Sequence, residues 1–293
     1  MAGFDFKAIG TTWHIDIYQK LESSLESKIL VDIKERIESF DKIYSRFRPD
    51  SLVTKIGNEV GVFEFQPDSE KLFSIYRHLY EATGGFFTPL IGQLLSNAGY
   101  DAKYSLQQKG VLESPPAWDD VIDYKNQSLT VKQPVKLDFG AAGKGYLIDL
   151  VVEVLEADGI SEYCIDAGGD ILHKGSKLIR IGLENPINKD QVVGVYDLQN
   201  GAICGSAGNR RKWGDFNHIM NPKTLSSAKD ILAVWVVAKE AIIADALTTC
   251  LFFVPAHELM QKLSGRYDFE YMLIRDDMSY EKSVGFSGEV FAS

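Results

Sequence analysis

Cysteine is scarce in this chain: three in 293 residues, Cys164, Cys204 and Cys250, far apart and each inside an apolar stretch. An odd, scattered set makes neither a disulfide framework nor a zinc ligand set, so the three read as small buried hydrophobes in a reduced protein. Cations are outnumbered as well, 31 Lys and Arg against 41 Asp and Glu, for a formal net charge of -10. A nucleic-acid partner requires clustered cations that displace counterions, and no basic stripe is present. The one compact group, Arg210, Arg211 and Lys212 before Trp213, reads as a solvated turn or as a contact for a small anion. Long apolar runs are missing too. The best, AIIADALTTCLFFV at 241–254, is too short for a bilayer and carries Asp245, so no membrane span is expected. The opening MAGFDFKAIGTTWHIDIY has no cationic start and no apolar run of the signal-peptide kind. The expectation is a cytoplasmic protein, or an exported one if a leader has been lost.

What is present is ordinary globular composition, 45% hydrophobic and 25% charged, enough for one unit over 1–293 with a sizeable core. Alternation over 4–18 predicts a strand, with Trp13, Ile15 and Ile17 on one face. Leu25, Ile29, Ile33, Ile37 and Phe40 recur at helical spacing and predict a helix over about 22–43. A second helix, about 69–82, stops at Gly84-Gly85. The polar stretch 96–135 predicts irregular structure with short strands, and a helix follows at about 145–157. From 161 onward strands dominate (YCIDA, LIRIGL, VVGVYDL, AICGSA, ILAVWVVA), then helices at about 239–252 and 256–264 and a strand near 270–275. Consecutive strands lie close enough for hairpins, so the class is α+β with mixed or mainly antiparallel sheets and flanking helices, two lobes around a central cleft.

Three segments could carry chemistry. Asp245 and Thr249 stand four apart and share one helix face amid Ile, Ala, Leu and Phe. A carboxylate there needs a cation or several donors. It can serve as a cap for a neighbouring element, with Thr249 bonding back to its own helix, or as part of a hard-cation site. KLDFGAAGKGYLID at 136–149 runs from strand through glycines into a helix start, a place where phosphate is favoured. Its spacing is neither the dinucleotide fingerprint nor a Walker A loop, and such turns are more often plain structure. In AICGSAGNRRKWGDFNHIMNPKT at 202–224, His218 sits at a strand end entering a turn; its type suits a general base, and equally a structural histidine.

Taken in order, these segments resemble the FAD:protein FMN transferases of the ApbE family. AIGTTWHI at 8–15 is similar to M-G-T-x-W, IYSRFRPDS at 43–51 to M-S-x-Y-x-P-D-S, and TGGFFTPLIGQL at 83–94 to S-G-G-x-F-D-P-T-V-G-P-L. LDFGAAGKGY resembles L-D-L-G-G-I-A-K-G-Y, and DAGGDI at 166–171 resembles N-x-G-G-D-I. SAGNRRKW with HIMNP resembles S-G-x-x-R with H-I-I-D-P, and ADALTT at 244–249 resembles A-D-A-L-A-T. The resemblance runs nearly end to end and implies a T-fold-like architecture. It also implies Mg2+ held by Asp245, Thr249 and the Ala141 carbonyl. FAD, as substrate, would be contacted by Ile9, Phe47, Phe86, Phe87, Thr88, Asp138, Lys144 and Ile219. His218 would deprotonate a Thr or Ser hydroxyl of an acceptor protein carrying a D-G-x-[ST]-[GSA]-[AS]-T type motif, and FMN would pass to it with release of AMP.

Departures from the pattern stand at Thr88, where the family has aspartate, at Gly205 and Ala207 ahead of His218, and at Gly143 and Asn221. The metal pair, Lys144 and His218 are all in place, so activity is expected to be kept. Two alternatives use the same residues: an FAD pyrophosphatase, with water as nucleophile, and a silent FAD-binding protein.

Overall fold

The computed structural model describes residues 2–291. Eight strands form one antiparallel sheet whose spatial order is also their chain order: β1 (Ala2–Ala8), β2 (Thr11–Ile17), β3 (Tyr163–Ala167), β4 (Ile171–Lys174), β5 (Gly201–Ala207), β6 (Ile231–Ala238), β7 (Phe269–Arg275) and β8 (Tyr280–Lys282). The α+β expectation and the antiparallel sheet are therefore met. The N-terminal expectation is corrected: 4–18 is not one strand but the β1–β2 hairpin, closed with Ala8 opposite Thr11. Ile9 and Gly10 both take positive φ, 43° and 78°, and this two-residue turn shifts the phase of the alternation, from Ala2 and Phe4 buried in β1 to Trp13, Ile15 and Ile17 buried in β2. Glycine adopts this backbone freely; a β-branched isoleucine does so at a cost of about 1–3 kcal/mol.

Helices cover one face of the sheet. α1 (Ser23–Tyr44) buries Ile29, Ile33, Ile37, Phe40 and Tyr44, one stripe at helical spacing. Each such side chain contributes roughly 1.5–3 kcal/mol of burial. α2 (Ser69–Thr83) ends where Gly84 turns left-handed at φ 63°, as the Gly84-Gly85 signal predicts. α3 (Gly143–Ala157) and α4 (Ala241–Cys250) pack closely on each other, and α5 (Ala256–Leu263) follows. The stretch 96–135 is largely irregular, with a short antiparallel sheet of Gly61–Glu64, Ser128–Val131 and Ile122–Lys125 beside α2.

The other face is only half covered. A three-stranded sheet, in the order Glu289–Val290, Val192–Leu198, Ile179–Glu184, packs Leu183, Tyr196 and Leu198 over Ile203, Trp235 and Met272. This explains the near-continuous apolar run ILAVWVVA in β6: Val234 and Val236 enter the helical core, while Ala233 and Trp235 enter the second one, so both faces are buried. Over β1, β2 and β3 that cover ends.

Candidate functional site

The covalent accident of four glycines and alanines at 140–143 sets the site up. Phe139 accepts from the Gly143 amide at 2.7 Å and Ala142 from the Tyr146 amide at 2.9 Å, starting α3. The Gly145 amide, which would ordinarily reach the Ala141 carbonyl, donates instead to Asp245 Oδ2 at 2.8 Å. Among the described residues no hydrogen bond reaches the Ala141 oxygen, and this turn lines a cavity together with Asp245 and Thr249. Asp245 is 5% exposed. Burial pushes its carboxyl above the usual range, with Lys144 pulling in the opposite direction. A carboxylate oxygen, a hydroxyl and a free carbonyl make an all-oxygen donor set that fits a hard divalent ion. No group of three or more His, Cys, Asp or Glu that could hold a metal occurs among the described residues, so any such site depends on these mixed oxygens.

Two features hold α4 in this position. A Cβ on Gly145 would lie 2.2 Å from the Ala241 oxygen and 2.7 Å from Asp245 Cβ, so only glycine allows α3 so near. Asp149, one turn further along α3, accepts from the Ala241 and Ile242 amides at 2.9 and 3.1 Å, supplying the cap that α4 lacks in its own sequence. Gly145→Ala is expected to force the helices apart and to cost about 1–3 kcal/mol. Urea unfolding measures this; an unchanged midpoint would show that the contact relaxes freely.

The cavity has a volume of about 950 Å³. Every residue assigned from the resemblance lines it. Ile9 comes from the strained hairpin turn. Phe47 follows α1, with the Arg46 guanidinium 4.2 Å from its ring centroid and Tyr104 stacked on it at 5.1 Å. Phe86 stacks on Phe253 at 5.9 Å, with Lys223 Nζ 4.1 Å from its ring centroid. Phe87 is 1% exposed and packed on Tyr76, and Ile219 is also buried, so both serve as wall. Thr88, where the family pattern has aspartate, accepts from the Leu90 amide at 3.2 Å and so caps the short turn that follows. Asp138 accepts from the Gly140 amide at 2.7 Å and forms a buried ion pair with Arg46; both its oxygens are engaged in holding the turn. Lys144 pairs with the buried Asp170, whose other oxygen accepts from the Gly205 amide at 3.1 Å.

His218 lies just beyond a two-strand ribbon, Lys212–Trp213 with Phe216–Asn217. Arg210, Arg211 and Lys212 are exposed, as a solvated turn requires. Trp213 is buried and donates to the Ala98 carbonyl at 2.8 Å, while Arg210 and Arg211 line the cavity. His218 Nδ1 is buried with no hydrogen-bond partner among the described residues. Burial, and after it the Arg211 charge, pushes the imidazole down to about 4.

Arg46, Asp149 and Asp170 escaped the reading by sequence, although each lies inside a quoted motif. Their partners are 92, 92 and 26 residues away. The three cysteines are free; Cys204 and Cys250 are buried, as expected, whereas Cys164 is half-buried and lines the cavity, a correction to the reading of all three as buried.

Comparison with known proteins agrees with this geometry. The FAD:protein FMN transferase of Rhodobacter capsulatus is 28% identical over 204 residues, 64% of this chain and 39% of the relative's own length. That of Treponema pallidum is 24% identical over 315 residues, covering 96% of this chain and 86% of the relative. The crystal structure of the ApbE protein from Thermotoga maritima superimposes with a TM-score of 0.85 at 21% identity, covering 97% of both chains, which establishes a shared fold. The family model described as the ApbE family matches residues 9–273, a span that takes in every cavity residue discussed above from Ile9 to Thr249. The chain belongs to the ApbE family.

Proposed function

We propose that this chain, acting as a single unit, transfers FMN from FAD to the hydroxyl of a serine or threonine on an acceptor protein and releases AMP. One observation carries the reading. Twelve residues assigned from the family pattern, spread from Ile9 to Thr249, line a single cavity of about 950 Å³, at the upper end of the usual size for small-molecule sites. The relatives' names, FAD:protein FMN transferase, support the donor and the transferred group.

Asp245, Thr249 and the Ala141 carbonyl would hold Mg2+, which supplies charge neutralisation at the pyrophosphate. The chain's own groups do the rest. Lys144, oriented by Asp170, and Arg211 bring positive charge to the phosphates. His218, neutral at ordinary pH, accepts the proton of the attacking hydroxyl. The hydroxyl oxygen bonds to the FMN phosphorus, the bond from that phosphorus to the bridging oxygen breaks, and AMP leaves with the bridging oxygen.

The test mixes the protein, FAD, Mg2+ and an acceptor domain carrying the D-G-x-[ST]-[GSA]-[AS]-T type motif. The acceptor is expected to gain the mass of one FMN group, with AMP in equal amount. An acceptor of unchanged mass sinks the proposal, and FMN with AMP appearing without acceptor would assign the attack to water.

A further inference from the structure

The cavity extends beyond the twelve residues above. There its floor is the uncovered face of the large sheet. Trp13, Ile15 and Ile17 of β2 and Tyr163, Ile165 and Ala167 of β3 point into the core, so His14, Asp16, Cys164 and Asp166 point the other way, into the cavity. Its wall is Ile179–Glu184. Among the described residues that strand pairs with Val192–Leu198 on one side only and ends its sheet. Ile179, Arg180, Ile181, Gly182 and Glu184 all line the cavity. An unpaired edge presents every second N–H and C=O outward, a ready template for another strand. Natural proteins commonly bury or blunt such an edge, yet this one borders the catalytic cleft.

The strand also leads to the proposed base. Glu184, its last residue, pairs with Arg210 at 2.9 Å, and the Pro186 carbonyl just beyond accepts from Asn209. Both tethers hold the loop that carries His218. A chain laid along Ile179–Glu184 would therefore run toward His218.

We propose that Ile179–Glu184 is the docking edge for the acceptor protein, whose target segment adds to it as an extended strand and delivers its hydroxyl to His218. This rests on the transferase reading. The occupant suited to the groove is an extended peptide of small residues. Main-chain hydrogen bonds to the edge provide register, and Ser, Thr or Gly side chains fit above a floor of short polar groups. The carboxylates Asp16 and Asp166 on that floor favour a segment rich in N–H and O–H donors, or flanked by cations.

Amide hydrogen exchange tests this on the full chain. An acceptor domain with its target residue changed to alanine is added to protein already holding FAD and Mg2+. Amides within 179–184 are expected to exchange at least about tenfold more slowly than with FAD and Mg2+ alone, since the outward N–H groups gain partners. Slowing elsewhere on the protein, with 179–184 unchanged, overturns the docking edge. A parallel mixture with the unaltered acceptor is read for FMN transfer. Transfer without slowing at 179–184 removes the docking proposal and leaves the transferase reading intact; no transfer removes both.

Discussion

Asp245→Asn is expected to reduce Mg2+-dependent turnover of FAD by about a hundredfold or more while leaving the protein folded. The amide keeps the volume of the side chain and an oxygen to accept the Gly145 amide, now made at 2.8 Å, so α3 and α4 stay in place. What it lacks is the negative charge that a hard cation requires. A second readout separates ligand loss from any catalytic effect. Mg2+ at a hundredfold excess over its Kd stabilises the native chain by about 2.7 kcal/mol, and the variant is expected to show no such gain in thermal unfolding. The sign without metal is opposite. Burial raises the Asp245 carboxyl in the folded protein, so the folded state holds this proton more tightly than the unfolded chain. Its contribution is therefore present at low pH and is lost as pH rises through the raised folded value. The asparagine variant should lack that loss and, without metal, be at least as stable as the native protein at neutral pH. Full turnover in the variant would show that the ion is held elsewhere.

Removing the imidazole should be comparably costly. His218→Ala is expected to slow transfer by about a hundred- to ten-thousandfold, the usual range for a general base, with the KM for FAD changed little. The pH profile carries more information than the loss itself. His218 is pushed down to about 4, first by burial and then by the Arg211 charge, where an unperturbed histidine titrates near 6.5. A lowered value means the neutral, proton-accepting form dominates at every pH above about 4. The acidic limb of kcat/KM, which reports the free enzyme, is expected near pH 4 and not near 6.5, and it should vanish in the alanine variant. Stability follows the same shift. The unfolded chain binds the proton more readily, so the contribution is intact above the unfolded value and falls away as pH drops from there toward 4. An acidic limb near 6.5, unchanged by His218→Ala, would assign the proton transfer to another group.

Much of the molecule was legible from local pattern. The α1 stripe at 29, 33, 37 and 40 and the α2 stop at Gly84 came from helical spacing and from glycine's tolerance of positive φ. The antiparallel class came from short, closely spaced strands. Alternation alone does not reveal the β1–β2 hairpin, because each strand keeps its own period of two and only the positive φ at Ile9 and Gly10 turns the chain back. The candidate residues stand in ordered motifs of the sequence, and the fold brings all twelve to one cavity.

What no window of sequence contains is the pairing between windows. Lys144 with Asp170, Arg46 with Asp138, the Asp149 cap on α4 and the bond from Gly145 to Asp245 join residues 26 to 100 positions apart. Side-chain period reports which face of an element is apolar, and says nothing about which charged group will meet it across a core. The same holds for the field in the cavity: a chain of net charge -10 sets Arg46, Lys144, Arg180, Arg210 and Arg211 around one opening beside Asp16, Asp41, Asp138, Asp166, Glu184 and Asp245. Composition sums charges without their positions, and Coulomb interactions depend on distance and on the exclusion of water. The residue types and their order were thus the sequence's own contribution; the Ala141 oxygen left without a partner, the burial that lowers His218 and the bare strand edge beside it were decided only when the chain folded.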